Sequence, residues 1–372
     1  MEIRHIACAI LAFASYGLSQ QPPAHADHGA DAHATQQAAS LRLTSTISLP
    51  AETNRPLYRP SRCDKNGNIY FRGYQLDDRK IPITRVNAKG TTTTYKFDSE
   101  AEFSKGASYD FSVLPNGNVY QPVQVGQDVY IVAYDQDAKI RWKTKLEKQF
   151  WISHLTAISD ESFLASGVEI QPRTTAVRQP PKLFIALVDN HGKIVRQLDL
   201  AKDTASAEET PAGQGSQSTG SGATQENAKE PIVLPVIEGD AQVGSDGNIY
   251  WMLRSEPPVV DVLDASGKML RSFTVQPPGI HMTPISMSLG DGRLAILFRG
   301  TFRGMPTNMA GMPGMKHTKG VVAIVDPSNG AVIANYTVGP ELSEAMACYT
   351  GNDFAFVIPD KSSLAVQYAT TK

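Results

Sequence analysis

Soft metal ligands are concentrated in one short stretch of this 372-residue chain. The stretch 302–319 contains, within thirteen residues, Met305, Met309, Met312, Met315 and His317. Thioethers combined with an imidazole suit Cu(I), so the stretch predicts a copper site. The alternative is an adaptable apolar loop, because methionine fills irregular surfaces and contacts many partners.

A second group of residues could act on a ligand. Asp110, His154 and Asp240 each lie seven positions before a turn glycine or its equivalent, and Arg62 and Gln242 lie two positions further along equivalent strands. If the first three meet, two carboxylates would hold the imidazole protonated and raise its pKa. Alternatively, they would share a divalent ion, or the polar groups would simply bond water and neighbouring backbone.

The elements that must position these residues follow one repeated pattern, clearest in residues 243–275. There, Asp-Gly and Ser-Gly pairs separate short β-branched and apolar runs, which is typical of tight turns between antiparallel strands. Four strands in so short a stretch form one sheet that cannot bury both faces alone, so copies must stack against it.

Six copies follow one another along the chain. They span residues 57–98, 109–146, 154–200, 243–275, 285–338 and 345–371. The last copy has only three strands, while residues 41–50 form a strand with no sheet of their own. Pairing these two would close a ring and leave no open edge at the junction.

Several middle strands, such as LAILF and VVAIV, are apolar on both faces, which favours sheets covered on both sides. The sequence therefore predicts an all-β, six-bladed β-propeller of four-stranded antiparallel blades. A pair of packed sheets forming a β-sandwich is the structural alternative.

The blade pattern D-x-x-G-N-I-Y followed by V-x-V-x-D-x-x-G-K resembles the NHL-like six-bladed β-propellers. DKNGNIYF and GSDGNIYW carry its first half, and VLDASGKML and LVDNHGKIV its second. Proteins of this kind include binding scaffolds, lactonase-like and lyase enzymes and sensor domains. The resemblance therefore implies a fold and leaves the activity open.

Residues 1–26 read as a signal peptide with an apolar core, which predicts a periplasmic or secreted protein. Ala24-His25-Ala26 offers a small-residue cleavage site, and Ala12-Phe13-Ala14 is the alternative. Residues 27–40 and 204–230 read as a disordered tail and a disordered loop, leaving a single propeller domain over 41–372. A formal net charge of -2 argues against nucleic-acid binding. No stretch is long enough for a comfortable membrane span.

Within each blade, the first and third turns are tight and share one end of the ring, the turn end. The other connections vary in length and share the opposite end, the loop end. Variable connections on a rigid scaffold place recognition at the loop end. No nucleophile–base, phosphate-loop, CxxC or HExxH pattern is present. We therefore expect a monomeric scaffold for a protein or glycan partner rather than an enzyme. A hydrolase or lyase at the channel mouth and a copper-handling protein are the alternatives.

Cys63 and Cys348 lie on the innermost strands of the first and last blades. An oxidising compartment favours a disulfide between them. However, equivalent side chains point the same way round a ring, which favours free thiols unless the sixth turn shifts the register by one.

Overall fold

The computed structural model describes residues 39–50, 57–73, 80, 82–169, 183–198, 240–255, 257–280, 282–300, 320–339, 342, 345–360 and 363–372. The predicted signal peptide, residues 27–38 of the predicted tail, the polar loop 204–230 and the Met-rich stretch lie outside these residues. In the described part, no helix is long and apolar enough to cross a membrane.

The chain folds into six antiparallel sheets in sequence order, which we number as blades. Before them lie β1 (Ala39–Ser40) and β2 (Arg42–Ser48). Blade 1 contains β3 (Leu57–Cys63), β4 (Ile69–Gly73), β5 (Ile83–Val86) and β6 (Thr92–Tyr95), and blade 2 contains β7 (Ser112–Val113), β8 (Val119–Val125), β9 (Asp128–Tyr134) and β10 (Ile140–Lys145). Blade 3 contains β11 (Phe150–Ala157), β12 (Ser162–Glu169), β13 (Leu183–Asp189) and β14 (Ile194–Gln197).

The remaining blades repeat this order. Blade 4 contains β15 (Asp240–Val243), β16 (Ile249–Leu253), β17 (Val259–Leu263) and β18 (Met269–Thr274). Blade 5 contains β19 (Met282–Gly290), β20 (Arg293–Gly300), β21 (Gly320–Val325) and β22 (Val332–Val338). Blade 6 contains β23 (Ala345–Tyr349), β24 (Asp353–Asp360) and β25 (Ser363–Thr370). A 3-10 helix, Ala101–Phe103, lies between blades 1 and 2.

The repeated D-x-x-G motif forms tight turns between strands at the turn end of the ring. In blade 1, Asp64 accepts hydrogen bonds from the backbone N–H groups of Asn66 and Asn68 at 2.9 and 3.0 Å, and Gly67 takes a φ of 75°. The Asp side chain thus replaces backbone partners within the turn, and the glycine adopts a left-handed conformation without steric cost. The other Asp64 oxygen accepts from Tyr70 Oη at 2.9 Å, which ties the turn to the buried second strand.

The first strands of the six blades surround a common axis. β3 lies against β7, β7 against β11, β11 against β15, β15 against β19, β19 against β23, and β23 against β3. This cyclic order confirms the predicted six-bladed propeller. Apolar clusters fill the seams between blades; between blades 2 and 3, for example, the rings of Phe150 and Phe184 lie 4.5 Å apart within such a cluster. Burying each of these side chains contributes roughly 1.5–3 kcal/mol.

The N-terminal strand closes the ring as predicted. β2 pairs antiparallel with β25, from Arg42 opposite Thr370 to Ser48 opposite Ala365, and becomes the outermost strand of blade 6. The two residues of β1 form a further pairing, which the sequence did not predict. β1 lies within the predicted disordered tail, yet it pairs in parallel with β22 and gives blade 5 a fifth strand.

Cys63 and Cys348 form a disulfide, with Cα atoms 5.5 Å apart, so the preference for free thiols is wrong. The reason is the register. β23 is irregular between Met346 and Cys348, where its pairing with β24 shifts by one residue. Because of this shift, Cys348 no longer points the same way round the ring as Cys63, and the two sulfur atoms can meet. The disulfide joins the first and last blades.

Candidate functional site

Arg62 and Asp240 form a buried ion pair inside the ring. Arg62 Nη2 lies 2.8 Å from Asp240 Oδ1, and the two side chains are only 10% and 9% exposed. Arg62 belongs to blade 1 and Asp240 to blade 4, which are opposite one another in a ring of six. The pair therefore crosses the centre of the ring, and each charge compensates the other in a place from which water is largely excluded.

The second oxygen of Asp240 and the side chain of Gln242 both engage blade 5. Asp240 Oδ2 accepts a hydrogen bond from the backbone N–H of Met287 at 3.1 Å, and Gln242 Nε2 donates to the Met287 carbonyl at 2.5 Å. Two of the predicted binding residues therefore fasten blade 4 to the first strand of the next blade.

The seam between blades 2 and 3 is fastened in the same way. Asp110 Oδ2 accepts from the backbone N–H of Leu155 at 2.7 Å, and Ser112 Oγ accepts from the N–H of Ala157 at 2.9 Å. Bonding to neighbouring backbone, one of the alternatives for these positions, thus accounts for one oxygen of Asp110 and one oxygen of Asp240, while the other Asp240 oxygen pairs with Arg62.

Asp110 and His154 are nevertheless brought together. His154 Nδ1 lies 3.8 Å from Asp110 Oδ2, which is beyond hydrogen-bond distance. The Asp110 side chain is 2% exposed, and within the described ranges its Oδ1 has no hydrogen-bond partner of good geometry. Such a buried acceptor is uncommon, because leaving it unsatisfied costs about 1–3 kcal/mol. The His154 side chain, by contrast, keeps 30% of its surface exposed.

The protonation states of this pair differ from the expectation. Burial raises the pKa of Asp110 to about 7, although Arg62 and the Leu155 N–H oppose the rise. Burial among protein groups also lowers the pKa of His154 to about 4, against the attraction of Asp240. The prediction of a raised His154 pKa is therefore wrong, because desolvation outweighs a carboxylate already neutralised by Arg62. His154 is neutral at pH 7.

Among the described residues, no three His, Cys, Asp or Glu side chains are grouped so that they could hold a metal ion. Asp110, His154 and Asp240 therefore do not form the shared divalent-ion site that was one alternative, since most of their oxygen ligands are bonded to Arg62 or backbone. The predicted Cu(I) ligands lie outside the described residues, and that site stays a prediction.

Sequence reasoning missed an aromatic pair beside these residues. Tyr109 and Trp151 have ring centroids 5.0 Å apart with an interplanar angle of 39°, and both side chains are only partly buried. Tyr109 directly precedes Asp110, and Trp151 lies three residues before His154 on β11. The sequence did contain a signal for this pair, because an aromatic residue lies near each of the polar candidates Asp110 and His154, on the side of the loop end.

No protein-family model and no curated protein matches the chain. Solved structures with a similar chain path include a protein of unknown function from Bacteroides caccae, with 13% identity and a TM-score of 0.43 over 81% of this chain and 92% of that one. Kuenenia stuttgartiensis hydrazine synthase has 12% identity and a TM-score of 0.41 over 81% and 76%. The PQQ-bound aldose sugar dehydrogenase from Streptomyces coelicolor has 10% identity and a TM-score of 0.45 over 89% and 98%. Similarity at this level carries no argument about activity.

Proposed function

We propose that the protein is an exported β-propeller that binds a protein or glycan partner through the loop end of its ring. The observation that carries the proposal is the contrast between the two ends. At the turn end, short turns held by Asp side chains join the strands, as at Asp64 and Asp264. At the loop end, the chain runs from Glu169 to Leu183, from Gln197 to Asp240, and from Gly300 to Gly320 between strands.

The ring beneath the loop end is fastened in several independent ways. The Cys63–Cys348 disulfide joins blades 1 and 6, and the Arg62–Asp240 pair joins opposite blades. A rigid support reduces the conformational entropy that binding would otherwise cost, which favours recognition through the connections it carries.

The contacts of the central residues favour binding over the hydrolase or lyase alternative. A general acid or base needs a carboxylate that is free to reach a substrate proton. Both oxygens of Asp240 and one oxygen of Asp110 are instead bonded within the ring. The disulfide supports export together with the signal-like N-terminus, because such bonds persist in oxidising compartments.

The proposal is tested by placing a photo-crosslinking amino acid at exposed positions of each end in the full-length chain. Gln127 and Ile280 report on the loop end, and Lys89 and Asn329 report on the turn end. The chain is irradiated in the host compartment to which it is exported. We expect adducts of one discrete mass from both loop-end positions, reduced by excess unlabelled protein, and none from the turn end.

Equal adducts from both ends, or adducts from Lys89 and Asn329 alone, would overturn the proposal. Thermal unfolding of each labelled variant provides the control, because a variant that melts with the parent reports on binding rather than on misfolding. Periodate oxidation of the crosslinked material then distinguishes a glycan partner from a protein partner.

A further inference from the structure

We propose that the seam between blades 2 and 3 holds a subsite for a neutral sugar at the loop end, formed by Tyr109, Trp151, His154 and Asp110. This inference rests on the proposed function and specifies one part of the loop end and the class of ligand. All four residues of the subsite are described, as are the loop-end connections on either side of blade 2, residues 96–111, 126–127 and 146–149. Residues 170–182, which follow β12 of blade 3, lie outside the described part of the chain.

The aromatic pair supplies the stacking surface. Tyr109 lies at the loop end of the strand segment that leads into β7, and Trp151 is the second residue of β11. The two rings contact each other across the seam, yet both retain exposed surface. The negative faces of aromatic rings attract the weakly positive C–H groups on one side of a pyranose, and the polar tips of Tyr and Trp remain available for hydrogen bonds.

The polar residues supply the hydrogen bonds that a sugar requires. His154 is neutral and 30% exposed, so its imidazole can donate through one nitrogen and accept through the other. Asp110 Oδ1 is a buried acceptor that has no well-placed hydrogen-bond donor among the described residues. One water between this oxygen and a sugar hydroxyl would satisfy it, with an enthalpy close to that of a direct hydrogen bond.

The surrounding charges argue for a neutral ligand. Arg62 is paired with Asp240, Arg72 donates to the Ser108 carbonyl at 2.8 Å, and Lys148 is paired with Glu169. Arg254, whose charge also acts on His154, donates to the Ile285 carbonyl at 3.1 Å. These four cations near the seam thus each have a partner in the protein. An anionic ligand would have to compete with these partners for a cation, whereas a neutral sugar can replace its hydrogen bonds to water with bonds to His154 and Asp110. Apolar surface with a few placed polar groups is the usual composition of a small-ligand site.

The test uses the full chain labelled with 5-fluorotryptophan, whose three tryptophans give three fluorine resonances. Trp151→Phe identifies the Trp151 signal. Methyl β-glucoside, methyl β-galactoside and xylotetraose are the neutral probes, and galacturonate and glucosamine are the charged controls. We expect at least one neutral probe to shift the Trp151 resonance in a saturable way. The Trp142 and Trp251 resonances should not move.

Substitution then assigns the contacts. Trp151→Ala and His154→Ala should each weaken binding of the responding sugar about tenfold or more, and Asp110→Asn about fivefold, the effect of one hydrogen bond. Trp142→Phe, on the outer strand of blade 2, is the matched control and should bind like the parent. Because Trp151→Ala could unfold the seam, Tyr109→Leu serves as a second aromatic variant, and only variants with parental melting curves are scored.

Saturable binding of the charged controls alone, or no response to any neutral probe, overturns the sugar subsite. Equal affinity of the parent, Trp151→Ala and His154→Ala also overturns it. These failures are distinct from failure of the proposed function. Crosslinks from Gln127 and Ile280 without a Trp151 response would reject only the subsite, whereas a Trp151 response without loop-end crosslinks would reject only the macromolecular partner.

Discussion

Asp110 and His154 are expected to give opposite pH dependences of stability, which single substitutions will expose. The Asp110 carboxyl has a pKa of about 7 in the folded chain and 3.8 as its ordinary value. The folded state therefore holds this proton more tightly than the unfolded state. Stability from Asp110 is full below pH 4 and is lost as the pH rises to 7. At about 1.4 kcal/mol per pH unit, the loss is about 4 kcal/mol.

His154 acts in the other direction. Its pKa is about 4 when folded and 6.5 ordinarily, so the unfolded state takes up the proton first as the pH falls. Stability from His154 is full above pH 6.5 and is lost between pH 6.5 and 4. The full difference corresponds to about 3 kcal/mol. Because 30% of the side chain is exposed, we expect about 2 kcal/mol after solvent screening.

In the parent protein the two effects partly cancel between pH 4 and 6.5. Asp110→Asn keeps the acceptor for the Leu155 N–H and removes only the titration of residue 110, while His154 still titrates. The free energy of unfolding of this variant, relative to the parent, should therefore rise by about 4 kcal/mol from pH 4 to 8. His154→Gln removes only the titration of residue 154. The free energy of unfolding of this variant, relative to the parent, should therefore fall by about 2 kcal/mol as the pH rises from 4 to 6.5.

The measurement is the free energy of unfolding from urea titrations at each pH, without reductant, for parent, both variants and the double variant. Differences from the parent cancel the titration of all other groups. The double variant should show the sum of the two slopes. If both single variants follow the parent across the range, the assigned protonation states are wrong, and burial does not control these two groups.

Deleting residues 39–48 should expose the outer edges of blades 5 and 6 and cause aggregation or loss of cooperative unfolding; a monomeric variant with an unchanged Tm would contradict the closure. Thiol titration of the denatured, unreduced protein should leave Cys63 and Cys348 unreactive, and Cys348→Ser should lower stability by up to about 5 kcal/mol. Arg62→Met should cost about 3–5 kcal/mol by leaving Asp240 buried and unpaired, and adding Asp240→Leu should recover most of it; no recovery would show that packing dominates. Replacing Met309, Met312 and Met315 with Leu should abolish stoichiometric Cu(I) binding and leave stability unchanged.

The fold was predictable because its determinants are local and repeated. Turns such as Asp246-Gly247 recur along the chain, and the missing strand of the last copy pointed to residues 41–50 as its partner. The pairing of β1 was not predictable, because the dipeptide Ala39–Ser40 carries no strand pattern and its parallel partner is distant in sequence. The disulfide was missed for a related reason, since the irregularity before Cys348 depends on pairing with β24.

The proximity of Asp110 and His154 was predictable, whereas the chemistry of the candidate residues was predictable only in part. Equivalent strand positions correctly brought Asp110 close to His154. They could not show that Arg62 reaches Asp240 from the opposite blade, because that contact depends on the length of a flexible side chain and the width of the ring. Without that contact, both carboxylates appeared free to stabilise a protonated His154 and raise its pKa. Burial lowers this pKa instead, and burial is a property of the assembled ring.

The disulfide makes most of this chain a covalent circle. Cys63 and Cys348 are 285 residues apart in sequence, and the chain connections from each blade to the next, from blade 1 through to blade 6, lie on the loop between them. A single cut anywhere in that loop, for instance between Gln197 and Asp240, would leave both pieces attached through sulfur. The nicked protein would migrate as one molecule until reductant divided it. New chain ends could accordingly be placed in the loop-end connections, which makes them suitable sites for circular permutation and for inserting another domain.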